Sequence, residues 1–299
     1  MKKSLLLVLA LVLLSTFTPA FAQDPPSPPK VLLLVREEIK PGMMGTHARH
    51  SAEFVGLFNQ LQTPNHRIAL VPVAGNENEV IYINASDSFA QLENITRTTD
   101  KKMEGANGSM RVKLDALEKE APAMHAAMRD MLAVYRPELS FNPGVALPQM
   151  RYFAITTTRV RPGFDAAYQE YVQKLINVAR QKAKVDNLHV ALFQVVSGAP
   201  AGTYMAFRPM KSLAEMDDPI GMRVRAAMTD DQRKDADKAV RESIISSETS
   251  TYAFAPGMSY VDKGFAAADP GFWTPKPQMA MKPKPRKRAP KPPPPPPAN

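Results

Sequence analysis

The chain repeats itself, and this limits what it can fold into more than any other feature. Lys40-Pro41-Gly42 follows an apolar run that begins at Val31, and Arg161-Pro162-Gly163 follows another that begins at Tyr152. Gly75, after the run Ile68 to Ala74, corresponds to Gly198, after Val190 to Ser197. Ser88-Phe89-Ala90-Gln91-Leu92-Glu93 corresponds to Ser212-Leu213-Ala214-Glu215-Met216-Asp217, and Phe141-Asn142-Pro143-Gly144 to Phe254-Ala255-Pro256-Gly257. The matches keep their order at a nearly constant offset, so the body reads as two copies of one supersecondary unit.

Each copy has the same internal order. Val31 to Val35 and Tyr152 to Val160 suit strands, each ended by its Pro-Gly turn. A helix follows, marked by Phe54, Leu57, Phe58 and Leu61 in the first copy and by Leu175, Val178 and Ala179 in the second. Two strands then flank a glycine turn: Ile68 to Ala74 with Glu79 to Asn84, and Val190 to Val196 with Thr203 to Phe207. Ser88 with Gln91, and Ser212 with Glu215, are capping-box patterns that open a second helix. A further helix is expected over 109–135, interrupted near Pro122, and over 229–246, where Thr229 with Gln232 is another such pattern. Last strands are expected at 139–141 and 251–254. The order β-α-β-β-α-α-β is a split βαβ, or ferredoxin-like, unit with one added helix. Its sheet carries helices on one face only, so the other face must be covered. The fold class is therefore α+β: two tandem ferredoxin-like repeats, 31–149 and 150–262. They pack sheet to sheet as an intrachain pseudo-dimer, or join into one barrel.

The ends have different physics. Met1-Lys2-Lys3, the apolar run Ser4 to Leu14 and Ala20-Phe21-Ala22 form a secretory signal peptide over 1–22. The apolar run is shorter than the ~20 residues a membrane span needs. The chain is thus expected to be exported, to the periplasm or the medium, with no transmembrane segment in its mature form. Residues 23–30 are a proline-rich linker. From 263 onward a disordered tail is expected, its Pro/Lys-rich part from Pro275 to Asn299 being an extended polyproline II rod. The formal charge of +9 belongs to these ends: Lys2 and Lys3, then Lys276, Lys282, Lys284, Arg286, Lys287, Arg288 and Lys291 account for all of it. A neutral body argues against nucleic acid as a partner. The basic tail would suit an anionic envelope surface. Cysteine is absent, which removes disulfides, thiol nucleophiles and cysteine-based zinc sites.

A strand, a Lys-Pro-Gly turn, a helix, and a hairpin whose turn carries Gly75 and Glu79 together resemble the dimeric α+β barrel superfamily. That superfamily includes antibiotic-biosynthesis monooxygenases and the NIPSNAP group. The resemblance covers 31–144 and 150–257. Members dimerise through their sheets, so it implies that this chain holds both halves itself and is a monomer. Their activities run from cofactor-independent oxygenation and haem degradation to no known chemistry. No catalytic set of the family matches here residue by residue.

Chemistry is best sought at the start of the first helix. His47 and His50 continue the stripe of Phe54, Leu57 and Phe58, and Tyr168 and Tyr171 take the matching places in the second copy. Glu79 should begin the third strand at the same end, with Tyr82 and Tyr204 on the corresponding strands. These seven residues are the expected ligand-binding set. His47, His50 and Glu79 are the catalytic candidates, because a helix N-terminus disfavours an imidazolium and suits a ring that accepts a proton. The alternative is that polar rings simply end an apolar stripe where it meets solvent. Two imidazoles and one carboxylate make too thin a zinc signal, so no metal site is expected. His66 and His189 fall at the opposite end of the unit. His125, placed in the long helix beside Met124 and Met128, reads as a packing or surface residue. No Gly-x-Ser-x-Gly elbow or P-loop occurs, and no cofactor is expected. The leading expectation is a non-catalytic exported protein that binds a small apolar or aromatic molecule in a helix–sheet pocket. Its rivals are a cofactor-independent monooxygenase or isomerase using His47, His50 and Glu79, and a structural envelope protein tethered by its tail.

Overall fold

Between Val31 and Ile39 successive side chains turn to opposite faces, and both faces are covered; this makes strand β1. In the computed structural model, which describes residues 27–274, α1 (Met44–Leu61), β2 (Arg67–Ala74), β3 (Glu79–Ser86), α2 (Phe89–Glu104), α3 (Gly108–Met124) and β4 (His125–Tyr135) follow. The second half runs β5 (Tyr152–Val160), α4, β6 (Ala191–Ser197), β7 (Thr203–Met210), a short 3-10 turn (Leu213–Met216), α5 (Ile220–Ala226), α6 (Asp230–Ser243) and β8 (Ile244–Phe254). Helix α4 has three parts: Asp165–Glu170, a π-turn over Tyr171–Ile176, and Asn177–Lys182. The expected signal peptide over 1–22, the first half of the linker (23–26) and the proline-rich stretch from 275 lie outside the described residues. Among the described residues no helix is long and apolar enough to cross a membrane.

The eight strands close into one antiparallel barrel in the order β1-β3-β2-β8-β5-β7-β6-β4. Adding four to each label maps this ring onto itself. Of the two arrangements open to a pair of half-covered sheets, the chain adopts the single barrel. The β2–β8 and β4–β6 pairings join the halves edge to edge, so backbone groups that two stacked sheets would leave free are paired. Leu34, Leu70, Ile81, Met131, Phe153 and Phe207 fill one shared lumen. At roughly 1.5–3 kcal/mol for each fully buried side chain, that common core ties the halves together.

Three boundaries differ from expectation, each for a physical reason. The long helix over 109–135 stops at Met124, two residues after Pro122, and His125–Tyr135 pairs along β1 as β4. Residues 244–254 likewise form β8 along β5, so α6 ends at Ser243. With those positions filled by long strands, Pro137–Leu139 is only a 3-10 turn, and Phe141 makes an isolated bridge to Val190. The chain also stays folded beyond 263. Helices α7 (Lys263–Ala267) and α8 (Pro270–Trp273) close one barrel mouth, with Trp273 5% exposed and its Nε1–H donating to the Pro148 carbonyl at 2.7 Å. Arg151 pairs with Asp269 and lies over the Phe272 ring, which pins this plug.

The capping signals behave as their chemistry requires. Ser88 accepts from the Gln91 backbone N–H, and Thr229 with Gln232 forms a full capping box. Ser212 caps only the 3-10 turn.

Candidate functional site

Alternation along β1 sends Arg36 into the lumen and Glu37 outward beneath α1. Glu37 stands on the face of Val35 and Ile39, and its carboxylate is nearly buried. The Pro41-Gly42 turn brings the first turn of α1 back over that face, and His47, 1% exposed, meets Glu37 there with Nε2 2.7 Å from Oε2. The third member comes from β4. A bulge between Glu38 and Ile39 shifts the register so that His125 opposes Ile39. Bulges re-aim side chains, and this one accompanies a His125 whose Nε2 reaches the same Glu37 oxygen at 3.1 Å. Glu37, His47 and His125 thus place one oxygen and two nitrogens within 4.8 Å of one another.

Hydrogen-bond roles constrain this trio. His125 Nδ1 lies 2.8 Å from the Ala121 carbonyl, which can only accept, so that nitrogen carries hydrogen. In a neutral ring Nε2 then presents a lone pair to a carboxylate oxygen. The contact is attractive only if a cation, either a proton or a metal ion, sits between them. His47 Nδ1 is buried without a hydrogen-bond partner among the described residues. Burial raises the Glu37 pKa, but the hydrogen bonds and charges of His47 and His125 outweigh it and hold the carboxyl below its ordinary value. Nearby, the Arg67 guanidinium lies 4.1 Å from the Tyr82 ring centroid and 5.2 Å from that of Phe58. Burial lowers its pKa, against the pull of Tyr82 and Glu37. Burial pushes the Tyr82 phenol up to about 12, and its oxygen shares a 2.5 Å hydrogen bond with Ser51.

The residues singled out from sequence separate into four places. His47 and Tyr82 line the corner under α1. His50 turns instead to α3, with Nε2 2.8 Å from the Leu117 carbonyl. Glu79 is on the other face of the sheet, inside the barrel, where it accepts from Arg36 and from the Tyr252 hydroxyl at 2.5 Å. His47, His50 and Glu79 therefore do not form one constellation, because β3 itself stands between His47 and Glu79. Tyr168, Tyr171 and Tyr204 gather at the matching corner of the second half, with the Tyr168 and Tyr204 ring centroids 4.8 Å apart. Tyr204 donates to Asp165 and accepts from Gln169. By strand and helix position Thr158, Tyr168 and Ile244 stand where Glu37, His47 and His125 stand. An equivalent bulge faces Ile244 to Val160, so the backbone device is shared and only the chemistry differs.

Glu37 and His125 were not singled out from sequence. Continuing the period of two from Val35 to Ile39 would have placed Glu37 under the helix. His125 was hidden by the misread helix.

No protein-family model matches the chain, and no curated protein matches it significantly. Solved structures do. A candidate monooxygenase from Fusobacterium nucleatum is 10% identical over 76% of this chain and 93% of its own, with a TM-score of 0.47. An anthrone oxidase-like protein is 12% identical over 76% and 91%, with a TM-score of 0.48. A mutant chlorite dismutase from Candidatus Nitrospira defluvii is 9% identical over 78% and 94%, with a TM-score of 0.46. The fold stands on this chain's own strand order, eight antiparallel strands closed into one barrel, and likeness at this level adds no argument to it.

Proposed function

We propose that this protein is an exported tandem α+β barrel whose first half holds a divalent metal ion on Glu37, His47 and His125. The observation that carries the proposal is the convergence of two imidazole Nε2 atoms on one buried carboxylate oxygen, with the far nitrogen of His125 committed to a backbone carbonyl. A carbonyl on the outer nitrogen is the usual device that fixes a metal-binding tautomer. Two imidazoles and a carboxylate suit zinc, or a non-haem ferrous ion, better than calcium or magnesium, which prefer all-oxygen shells. A metal held by three protein ligands keeps a coordination position for water or another small ligand. On this reading the halves are tandem ferredoxin-like repeats, and the second, with Thr158, Tyr168 and Ile244, kept the scaffold without the ligand set. The secretory signal supports export, and the basic proline-rich tail supports association with an anionic envelope surface.

Equilibrium dialysis against zinc followed by metal analysis tests the central statement. Wild-type protein should retain one zinc per chain, and the His47→Ala/His125→Ala double variant none. Equal retention by both, or none by either, would overturn the proposal.

A further inference from the structure

Tyr260 is the last residue whose backbone pairs with the barrel, bridging Arg67 at the edge of β2. Among the described residues, every backbone hydrogen bond of 262–274 runs within that segment. Side chains alone fasten the plug. The Trp273 indole donates to the Pro148 carbonyl at 2.7 Å, Asp269 pairs with Arg151, and Arg151 lies 4.0 Å from the Phe272 ring centroid. The ion pair is open to solvent on both sides, and such pairs hold weakly. Helices α7 and α8 have five and four residues, too short to persist undocked. The segment therefore sits, or lets go, as one unit.

Beneath the plug the lumen is lined by aromatic rings. Centroid to centroid, Trp273 stands 5.9 Å from Phe254, and Phe254 4.9 Å from Phe153. The run continues from Phe153 to Phe207 at 5.6 Å, to Phe193 at 5.5 Å and to Tyr135 at 5.4 Å. By strand register, the first half carries Leu32, Ile83 and Leu70 where the second has Phe153, Phe207 and Phe193. A core needs only apolar volume of the right size, and the aliphatic half supplies it without rings. The seat also offers its occupant a hydrogen-bond acceptor, the Pro148 carbonyl. Phe265 and Phe272, 4.9 and 5.0 Å from Trp273, belong to the plug and leave with it. What stays behind is an aromatic wall beside a carbonyl, which suits a flat ring bearing an N–H or O–H donor.

We infer that residues 263–273 form a lid, and that Trp273 is the built-in occupant of a binding site for a planar aromatic molecule with a hydrogen-bond donor, such as a phenol. The ligand takes the place of the indole, packs on Phe254 and donates to the Pro148 carbonyl. Closing the lid ejects it. The site lies in the lumen, shares no residue with the trio under α1 and needs no metal ion.

Because Trp273 is the only tryptophan, it reports its own displacement. The test titrates p-cresol into the full-length mature protein, with cyclohexanol as the aliphatic control, and follows tryptophan emission, acrylamide quenching and circular dichroism. p-Cresol should move the emission to the red and open it to acrylamide, saturably and with the circular dichroism spectrum intact; cyclohexanol should do neither. Asp269→Asn removes the latch and leaves the seat whole, so half-saturation should come at a roughly two- to fivefold lower p-cresol concentration, the range an exposed ion pair covers. Trp273→Ala, which empties the seat, should bind p-cresol about tenfold or more tightly than the wild type by isothermal titration calorimetry. Emission unmoved at about 10 mM p-cresol, in the wild type and in Asp269→Asn alike, would make the plug a fixed part of the core and overturn the inference. An equal response to cyclohexanol, or a red shift that only follows loss of the circular dichroism signal, would overturn it as well.

Discussion

Loading the first-half trio with zinc should stabilise the whole barrel, and the size of the effect can be worked out in advance. Glu37 lies on β1, His47 on α1 and His125 on β4. Strands β1 and β4 pair along their length and are neighbours in the closed ring. An ion held across them is lost only when the ring opens, so its binding free energy adds to global unfolding. At free zinc about 100-fold above the dissociation constant, the gain is ~2.7 kcal/mol. For a body of this size, where each kcal/mol shifts Tm by about 2–4 °C, such a gain raises Tm by about 5–11 °C. Differential scanning calorimetry with and without zinc should show that rise in the wild type. The rise should vanish in His125→Ala, whose Nε2 is gone, and persist in His50→Ala, since His50 points to the Leu117 carbonyl on α3. A rise that survives His125→Ala, or one abolished equally by His50→Ala, would refute the assignment of ligands. A wild type indifferent to zinc would refute the site.

Other consequences can be checked separately. Burial pushes the Tyr168 phenol from 10.0 up to about 12. The folded state therefore favours the neutral phenol. That stabilisation is complete below pH 10, is lost as pH rises toward 12, and is worth at most about 2–3 kcal/mol. Urea midpoints measured across that window should fall less steeply in Tyr168→Phe; parallel slopes would contradict this. Trp273 is the only tryptophan, so the emission of the native protein should be blue-shifted and poorly quenched by acrylamide. Trp273→Ala should cost about 3–5 kcal/mol in denaturant unfolding. Gly198 sits at φ +85° with room for a Cβ only 1.9 Å from the Asp130 oxygen. Gly198→Ala must displace backbone, and it should lower Tm by more than the same change at Gly221, which has open space around it.

How much of this was legible before the structure depended on whether local pattern and tertiary pairing agreed. Strand β5 reads from its sequence with its observed bounds, because its apolar run and its Pro-Gly stop coincide. The Ser88 and Thr229 caps were legible because capping is a local reaction between a hydroxyl and a free N–H. Strand β4 was not. Met124, Met128 and Met131 fall at helical spacing, yet only Met124 and Met131 are buried, and pairing with β1 extends residues 125–135 into a strand. That error carried His125 away from Glu37. The candidate site was thus half visible: His47 and Tyr82 were read at the right corner, and the closing residues were not. Glu79 was placed at the correct end of β3, but its face followed from a register that only the closed ring sets. The plug at Trp273 was overlooked because the prolines that follow it dominate the composition of the C-terminus.

The most direct test of the central claim is X-ray absorption at the zinc edge on the zinc-loaded protein. The account predicts a shell of nitrogen and oxygen at about 2.0–2.1 Å with outer-shell scattering from two imidazoles. His125→Ala should reduce that scattering to one ring or abolish binding. A shell of oxygen alone, without imidazole scattering, would contradict it.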